Sequence, residues 1–164
     1  MAHPHADLIN RFYDALSRRD GDAMAACYHP EVHFQDPVFD LHGERAGHMW
    51  RMLCARGRDL TVEASGVRAD DESGAAHWEA RYTFSQTKRS VHNVVDAAFT
   101  FEDGLIQTHR DRFDFWRWSR QALGAPGVLL GWTPWLRAKV SAEASRGLDR
   151  WIAASGAEAA SSDR

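Results

Sequence analysis

Leu8, Ile9, Phe12, Tyr13 and Leu16 recur at intervals of three and four, the stripe of an amphipathic helix over about residues 5–18. Asp20 is placed to cap a short second helix through Tyr28, which His29-Pro30 would end. "EVHFQDPV" reads as a short strand stopped at Pro37. Residues 43–56 return to helical spacing, with Ala46, Met49, Trp50 and Leu53 on one face. The period then changes to two. Residues 60–68 put Leu60, Val62 and Ala64 on one side, and residues 75–85 alternate Trp78, Ala80, Tyr82 and Phe84 with His77, Glu79, Arg81 and Thr83. Residues 90–101 lead to a turn at Glu102-Asp103-Gly104, and "GLIQTHRDRFDFWRW" reads as the closing strand, to Trp118. A Gly- and Pro-broken apolar connection, "LGAPGVLLGWTP", precedes a last helix from Pro134, striped by Leu136, Val140, Ala144, Leu148 and Trp151. Helices first, then an antiparallel meander, then a helical extension make an α+β fold.

The closing strand has no clean apolar face. Leu105, Gln107, His109, Asp111, Phe113 and Phe115 share one side; Ile106, Thr108, Arg110, Arg112, Asp114, Trp116 and Trp118 share the other. A two-residue Asp103-Gly104 turn would set Asp96 against Asp111. A three-residue loop sets Asp96 against Arg110 and His92 against Asp114, replacing like charges with opposite ones, and is the register expected. It turns the arginines outward and points His109 and Asp111 into an aromatic interior. Two readings of that pair stay open: a polar floor in an apolar pocket, or groups satisfied by backbone and water at the open end of the sheet.

Composition changes the picture little. A chain of 164 residues with a net charge of −3 fits one domain of ordinary globular type and offers no electrostatic footprint for nucleic acid. The boundaries expected are a domain over 1–118, a helical extension over 119–153 packing on it, and a disordered Ala- and Ser-rich tail over 154–164. Cys27 and Cys54 form no CxxC pair and read as free buried thiols of a reducing cytosol. No apolar run approaches the roughly 20 residues of a membrane span, and the N-terminus lacks a secretion signal. A cytoplasmic protein with no membrane partner is expected. His3 and His5 belong to a solvated terminus.

"ACYHPEVHFQDPV", the helix start "GERAGHMW" and the hairpin "FTFEDGLIQTHRDRF" resemble the NTF2-like superfamily, more narrowly its SnoaL-like and ketosteroid-isomerase-like branch, over residues 5–117. The resemblance implies a cone: a bent, mostly antiparallel sheet wrapped around N-terminal helices, with a deep apolar pocket. In ketosteroid isomerase an Asp base moves a proton beside a carbonyl, and a Tyr with a protonated Asp stabilises the enolate. The base matches Asp36. The tyrosine's position falls on Phe12, with Tyr13 adjacent, and the second acid's falls near Ala97, so that oxyanion hole is missing as such. SnoaL-type cyclases and scytalone dehydratase use pocket His and Asp groups instead, which matches His109 and Asp111.

The resemblance thus implies proton transfer on a small hydrophobic carbonyl or hydroxyl compound: isomerisation, cyclisation or dehydration. Asp36 would be the base, His109 the acid/base and Asp111 its partner. Phe12, Tyr13, Trp50, Trp78, Tyr82, Asn93, Phe99 and Phe113 would line the substrate. No cofactor and no metal are expected. Asp36 has a plain alternative, as a turn cap before Pro37. The whole fold has one too, as a ligand-binding or dimerising module. Epoxide hydrolysis, which in limonene epoxide hydrolase uses an Asp-Arg-Asp trio, is disfavoured by outward arginines. A homodimer through the outer sheet face is expected, because Trp116 and Trp118 would lie there.

Overall fold

The computed structural model describes residues 2–162, with side chains described through residue 156. Helices α1 (Pro4–Ser17), α2 (Gly21–Ala26) and α3 (Glu44–Arg56) lie against a six-stranded bent sheet. Its strands are β1 (Tyr28–Gln35), β2 (Asp40–His42), β3 (Thr61–Ala69), β4 (Ser73–Phe84), β5 (Arg89–Glu102) and β6 (Leu105–Arg112), in the order β2-β1-β6-β5-β4-β3. The extension folds as α4 (Phe115–Leu123), α5 (Ala125–Leu130) and α6 (Pro134–Ser162). All pairs are antiparallel except β1 with β6. The α+β cone expected from the sequence is the architecture found.

Local chemistry explains most boundaries. Asp20 caps α2 by accepting from the Ala23 N–H. That helix ends at Ala26, not Tyr28, because Pro30 forbids helical backbone just beyond and Tyr28 is drawn into β1. α1 buries its predicted stripe against the sheet. The tail expected to be disordered from residue 154 continues α6 to Ser162; Ala is the best helix former, and the helix is already nucleated by packing upstream. Residues 163 and 164 lie outside the described residues.

The β5–β6 hairpin follows neither register considered above. Asp103 and Gly104 both have positive φ (55° and 75°), forming a two-residue turn that sets Glu102 against Leu105 and Phe101 against Ile106. The register then slips by one at Gln107, and Thr100 faces Thr108, Phe99 faces His109 and Asp96 faces Arg112. The bulge resolves the mixed face. Without it Ile106 and His109 would point to opposite sides; with it both are buried, while Arg110 and Arg112 stay outside. Opposite charges are still set opposite each other across the strands, two residues further along than expected.

The strand also ends early, at Arg112. Asp114 accepts from the Arg117 N–H and caps α4, whose buried residues Phe115, Trp118 and Ala122 follow helical spacing. Where β6 stops, β5 loses its neighbour, and Gln121 of α4 takes over. Its amide oxygen accepts from the His92 N–H (2.7 Å) and its amide N–H donates to the His92 carbonyl (3.2 Å), imitating a strand. Trp116 and Trp118 are therefore helical and leave the outer sheet face, which removes the feature on which the dimer expectation rested. Trp118 is buried against Phe84 and donates to the Tyr82 hydroxyl at 2.8 Å.

α5 packs on α4 through a backbone contact that tolerates no side chain. A Cβ on Gly127 would lie 1.9 Å from the Ser119 carbonyl oxygen. Gly127→Ala must push the two helices apart, and we expect it to cost about 3 kcal/mol of stability, at the upper end for overpacking. Chemical denaturation measures this; a cost below about 0.5 kcal/mol, the range of an ordinary surface change, would contradict the α4–α5 packing.

Candidate functional site

His109 and Asp111, the two inward residues of β6, are 1% and 4% exposed. Burial of such groups demands partners, and a five-residue chain supplies them. The Trp50 indole donates to the Tyr28 hydroxyl (2.7 Å), the hydroxyl meets His109 Nδ1 (2.8 Å), His109 Nε2 meets Asp111 Oδ1 (2.9 Å), and the Trp78 indole donates to that same oxygen (3.3 Å). Indoles only donate, so one assignment leaves no donor unpaired: Tyr28 donates to Nδ1 and the Nε2–H donates to Asp111. Phe12, Phe34, Trp50 and Phe99 surround the imidazole, with the Phe99 ring centroid 4.4 Å away.

The aromatic residues expected to line a pocket mostly fill the interior instead. Phe12, Tyr13, Trp50, Trp78 and Phe99 belong to one buried cluster. Tyr13 carries a buried hydroxyl with no hydrogen-bond partner among the described residues, and burial, reinforced by the charge of Asp111, pushes its pKa well up. Tyr82 packs in a second cluster with Phe115 and Trp118 of α4, which plug the end of the cone. Asn93 faces inward opposite Ala80, half-buried.

One opening among the described residues is lateral. A cleft of about 870 Å³ lies between the β1–β2 turn, the end of β6 and the start of α6. Asp36 and Asp111 both line it, together with Phe113, Phe115, Trp116 and Trp132. Asp36 does cap its turn: Oδ1 accepts from the N–H groups of Val38 (2.7 Å) and Phe39 (2.6 Å). Its burial nevertheless raises the carboxyl from 3.8 to about 7; the negative charge of Asp111 adds to this, while the two N–H donors and Arg137 oppose it. α6 clips the same turn from outside, with Arg137 Nε donating to the Pro37 carbonyl (2.9 Å) and Ser141 to the Val38 carbonyl (2.5 Å).

The structure therefore brings Asp36, Asp111 and Phe113 to one cleft and sets His109 beneath it, touching Asp111. Two residues important here escaped the sequence reading. Tyr28 reads as a helix end in the sequence, although Pro30 two residues later favours extended chain. Arg137 had no signal in the sequence, because only folding brings α6 to the β1–β2 turn. Two groups among the described residues have metal-ligand spacing, His33, Asp40 and His42, and His29, Glu102 and Asp103. Both are on the exterior and neither includes His109.

The SnoaL-like domain profile matches residues 9–109 of the chain. No curated protein matches it in sequence. Among solved structures, it is similar to a putative polyketide cyclase from Xanthomonas campestris pv. campestris (18% identity, TM-score 0.60, covering 72% of this chain and 96% of that one). It is also similar to an LEH-like epoxide hydrolase of M. tuberculosis (20%, 0.59, 77% and 92%) and a putative ketosteroid isomerase from Kribbella flavida DSM 17836 (19%, 0.54, 68% and 78%). At these identities the likeness is one of fold. The family match spans more than half of the chain and the fold agrees with it: the chain belongs to the SnoaL-like domain family, within the NTF2-like fold.

Proposed function

We propose that the chain is an acid–base catalyst that moves a proton on a small hydrophobic carbonyl or hydroxyl compound bound in the lateral cleft. The observation that carries this reading is Asp36, a carboxyl poised near pH 7 with only one oxygen committed to its turn, beside Asp111 in an aromatic-walled cleft. A group titrating near the working pH is suited both to take and to return a proton. The ionised Asp36 would remove a proton from carbon next to a carbonyl. The acid so formed would return it at another carbon, giving isomerisation, or to a departing hydroxyl, giving dehydration. Asp111 keeps Asp36 basic by its charge and offers its second oxygen to a substrate hydroxyl. His109 acts through Asp111 and is a positioning residue, not the acid/base of the sequence reading.

One observation favours a second reading. Arg137 of α6 lines the same cleft and bears electrostatically on Asp36, and Arg110 and Arg112 of the hairpin line its rim, so cations stand with two carboxyls after all. Opening of an epoxide by water would use such a set, one carboxylic acid protonating the ring oxygen and the other carboxylate taking a proton from water.

The test is proton exchange in D2O over a panel of cyclic ketones and β-diketones, followed by NMR. We expect exchange at the carbon beside the carbonyl, rising through about pH 7, and reduced about a hundredfold in Asp36→Asn. Ligands that bind in the cleft without any exchange, and without epoxide opening, would favour the binding module.

A further inference from the structure

One surface of the extension is unused by the proposed chemistry. From residue 115 to residue 142 the chain carries Arg117, Arg120, Arg137 and Lys139 and neither Asp nor Glu, in a protein whose net charge is −3. The same stretch holds four of the seven tryptophans. Leu129, Trp132 and Trp135 are 69%, 70% and 60% exposed, and Val128 and Leu130 are exposed beside them. A contiguous set of large apolar side chains in water marks an interaction site.

We infer that this face docks on a membrane surface rich in anionic phospholipid. The polar atoms of two of its indoles are already satisfied within the chain: Trp132 donates to the Leu129 carbonyl (3.1 Å) and Trp116 to the Val128 carbonyl (3.3 Å). Their rings can enter an apolar layer without stranding a donor. Cations stand over the rings, with the Arg120 guanidinium carbon 4.4 Å from the Trp116 centroid and the Lys139 ammonium 5.4 Å from that of Trp135. Aromatic rings below and long cationic side chains reaching to phosphate is the composition of an interfacial anchor. Arg120 also lines a groove of about 770 Å³ with Lys88, Arg89 and Arg117, and no acidic residue lines it. Basic groove, apolar ridge and the Trp116 wall of the cleft are thus continuous.

Charge decides against a second copy as occupant. A two-fold dimer through this face would set cation against cation, which an isologous contact cannot avoid on a patch with no acid. Anionic lipid headgroups complement it. No helix among the described residues is long and apolar enough to cross a membrane, and docking needs none. The expectation of no membrane partner rested on that criterion alone. If the proposed activity holds, lipophilic substrate would reach the cleft from the lipid side; docking itself does not depend on that reading.

The experiment is co-sedimentation of the full chain with vesicles of phosphatidylcholine alone and of an equimolar mixture with phosphatidylglycerol. We expect binding to the mixture and about tenfold less to phosphatidylcholine, weakening as salt is raised. Leu129→Ser/Trp135→Ser and Arg117→Gln/Arg120→Gln should each lower binding about tenfold while circular dichroism and melting midpoint stay as in the parent. None of these four residues touches Asp36 or Asp111, so exchange activity in solution should be retained. Failure to bind either vesicle would overturn the proposal. So would equal binding to both with no loss in the variants, or a dimer in light scattering that Leu129→Ser/Trp135→Ser abolishes.

Discussion

Asp36→Asn should lose turnover and gain stability, and the gain should depend on pH. Asn keeps the shape and the oxygen that accepts from Val38 and Phe39; what goes is the ionisable group. Loss of the base is expected to cost about a hundredfold or more in rate. The stability effect follows from the same carboxyl. It titrates at about 7 in the fold, against 3.8 when free. A folded pKa raised above the unfolded one means that the native state holds the proton more tightly. That contribution is complete below the free value and is lost as pH rises through about 7. Three units set a ceiling of about 4 kcal/mol at 1.36 kcal/mol each, and solvent at the half-buried carboxyl reduces this to about 1–2 kcal/mol. Asp36→Asn should therefore be the more stable protein at about pH 8.5 and lose most of that advantage at about pH 5. Urea denaturation at the two pH values reads the difference. An equal or less stable variant at the alkaline pH would mean that Asp36 ionises as an ordinary surface carboxylate. The proposed base would then lose its physical ground.

Much of this site was legible along the chain, and the misses have particular causes. The inward placement of His109 and Asp111 followed from charge and aromatic alternation. Register did not, because a bulge leaves no trace in a period-two pattern: Ile106 and His109 count as opposite faces until one residue is spent at Gln107. The end of β6 is hidden in the sequence because "RFDFWRW" alternates like a strand. Phe115, Trp118 and Ala122 fit a helix equally well, and Asp114 was available to cap it. The filling of the interior could not be seen in a list of aromatic residues. The same side chains line a pocket or pack into a core according to the volume around them. Here α4 supplies Phe115 and Trp118 to the cone's end and moves the opening to its side. Asp36 as base and Asp36 as turn cap are compatible roles, because the carboxyl has two oxygens and one of them makes the turn.

His109→Leu should be among the most damaging single changes in the protein. It leaves the Tyr28 hydroxyl without an acceptor and takes from Asp111 Oδ1 its 2.9 Å donor, leaving only the Trp78 indole at 3.3 Å. Leaving a buried carboxylate without its neutral N–H donor, and a buried hydroxyl without its acceptor, typically costs about 3 kcal/mol, because both groups stay desolvated. The second change separates this from simple loss of packing. Asp111→Leu added to His109→Leu removes the orphaned charge, and replacing both partners by apolar groups is far less costly than stranding one. The double variant should therefore be more stable than the sum of the single losses by about 1–3 kcal/mol. Losses that add within about 0.5 kcal/mol would show that the two groups are independent. Asp111 lines the cleft, and water entering there could then satisfy it without His109. In that case the Trp50–Tyr28–His109 chain holds the core together but does not hold Asp111 in place. The charge beside Asp36 would be set by solvent, and His109→Leu would leave the pH midpoint of exchange where it was.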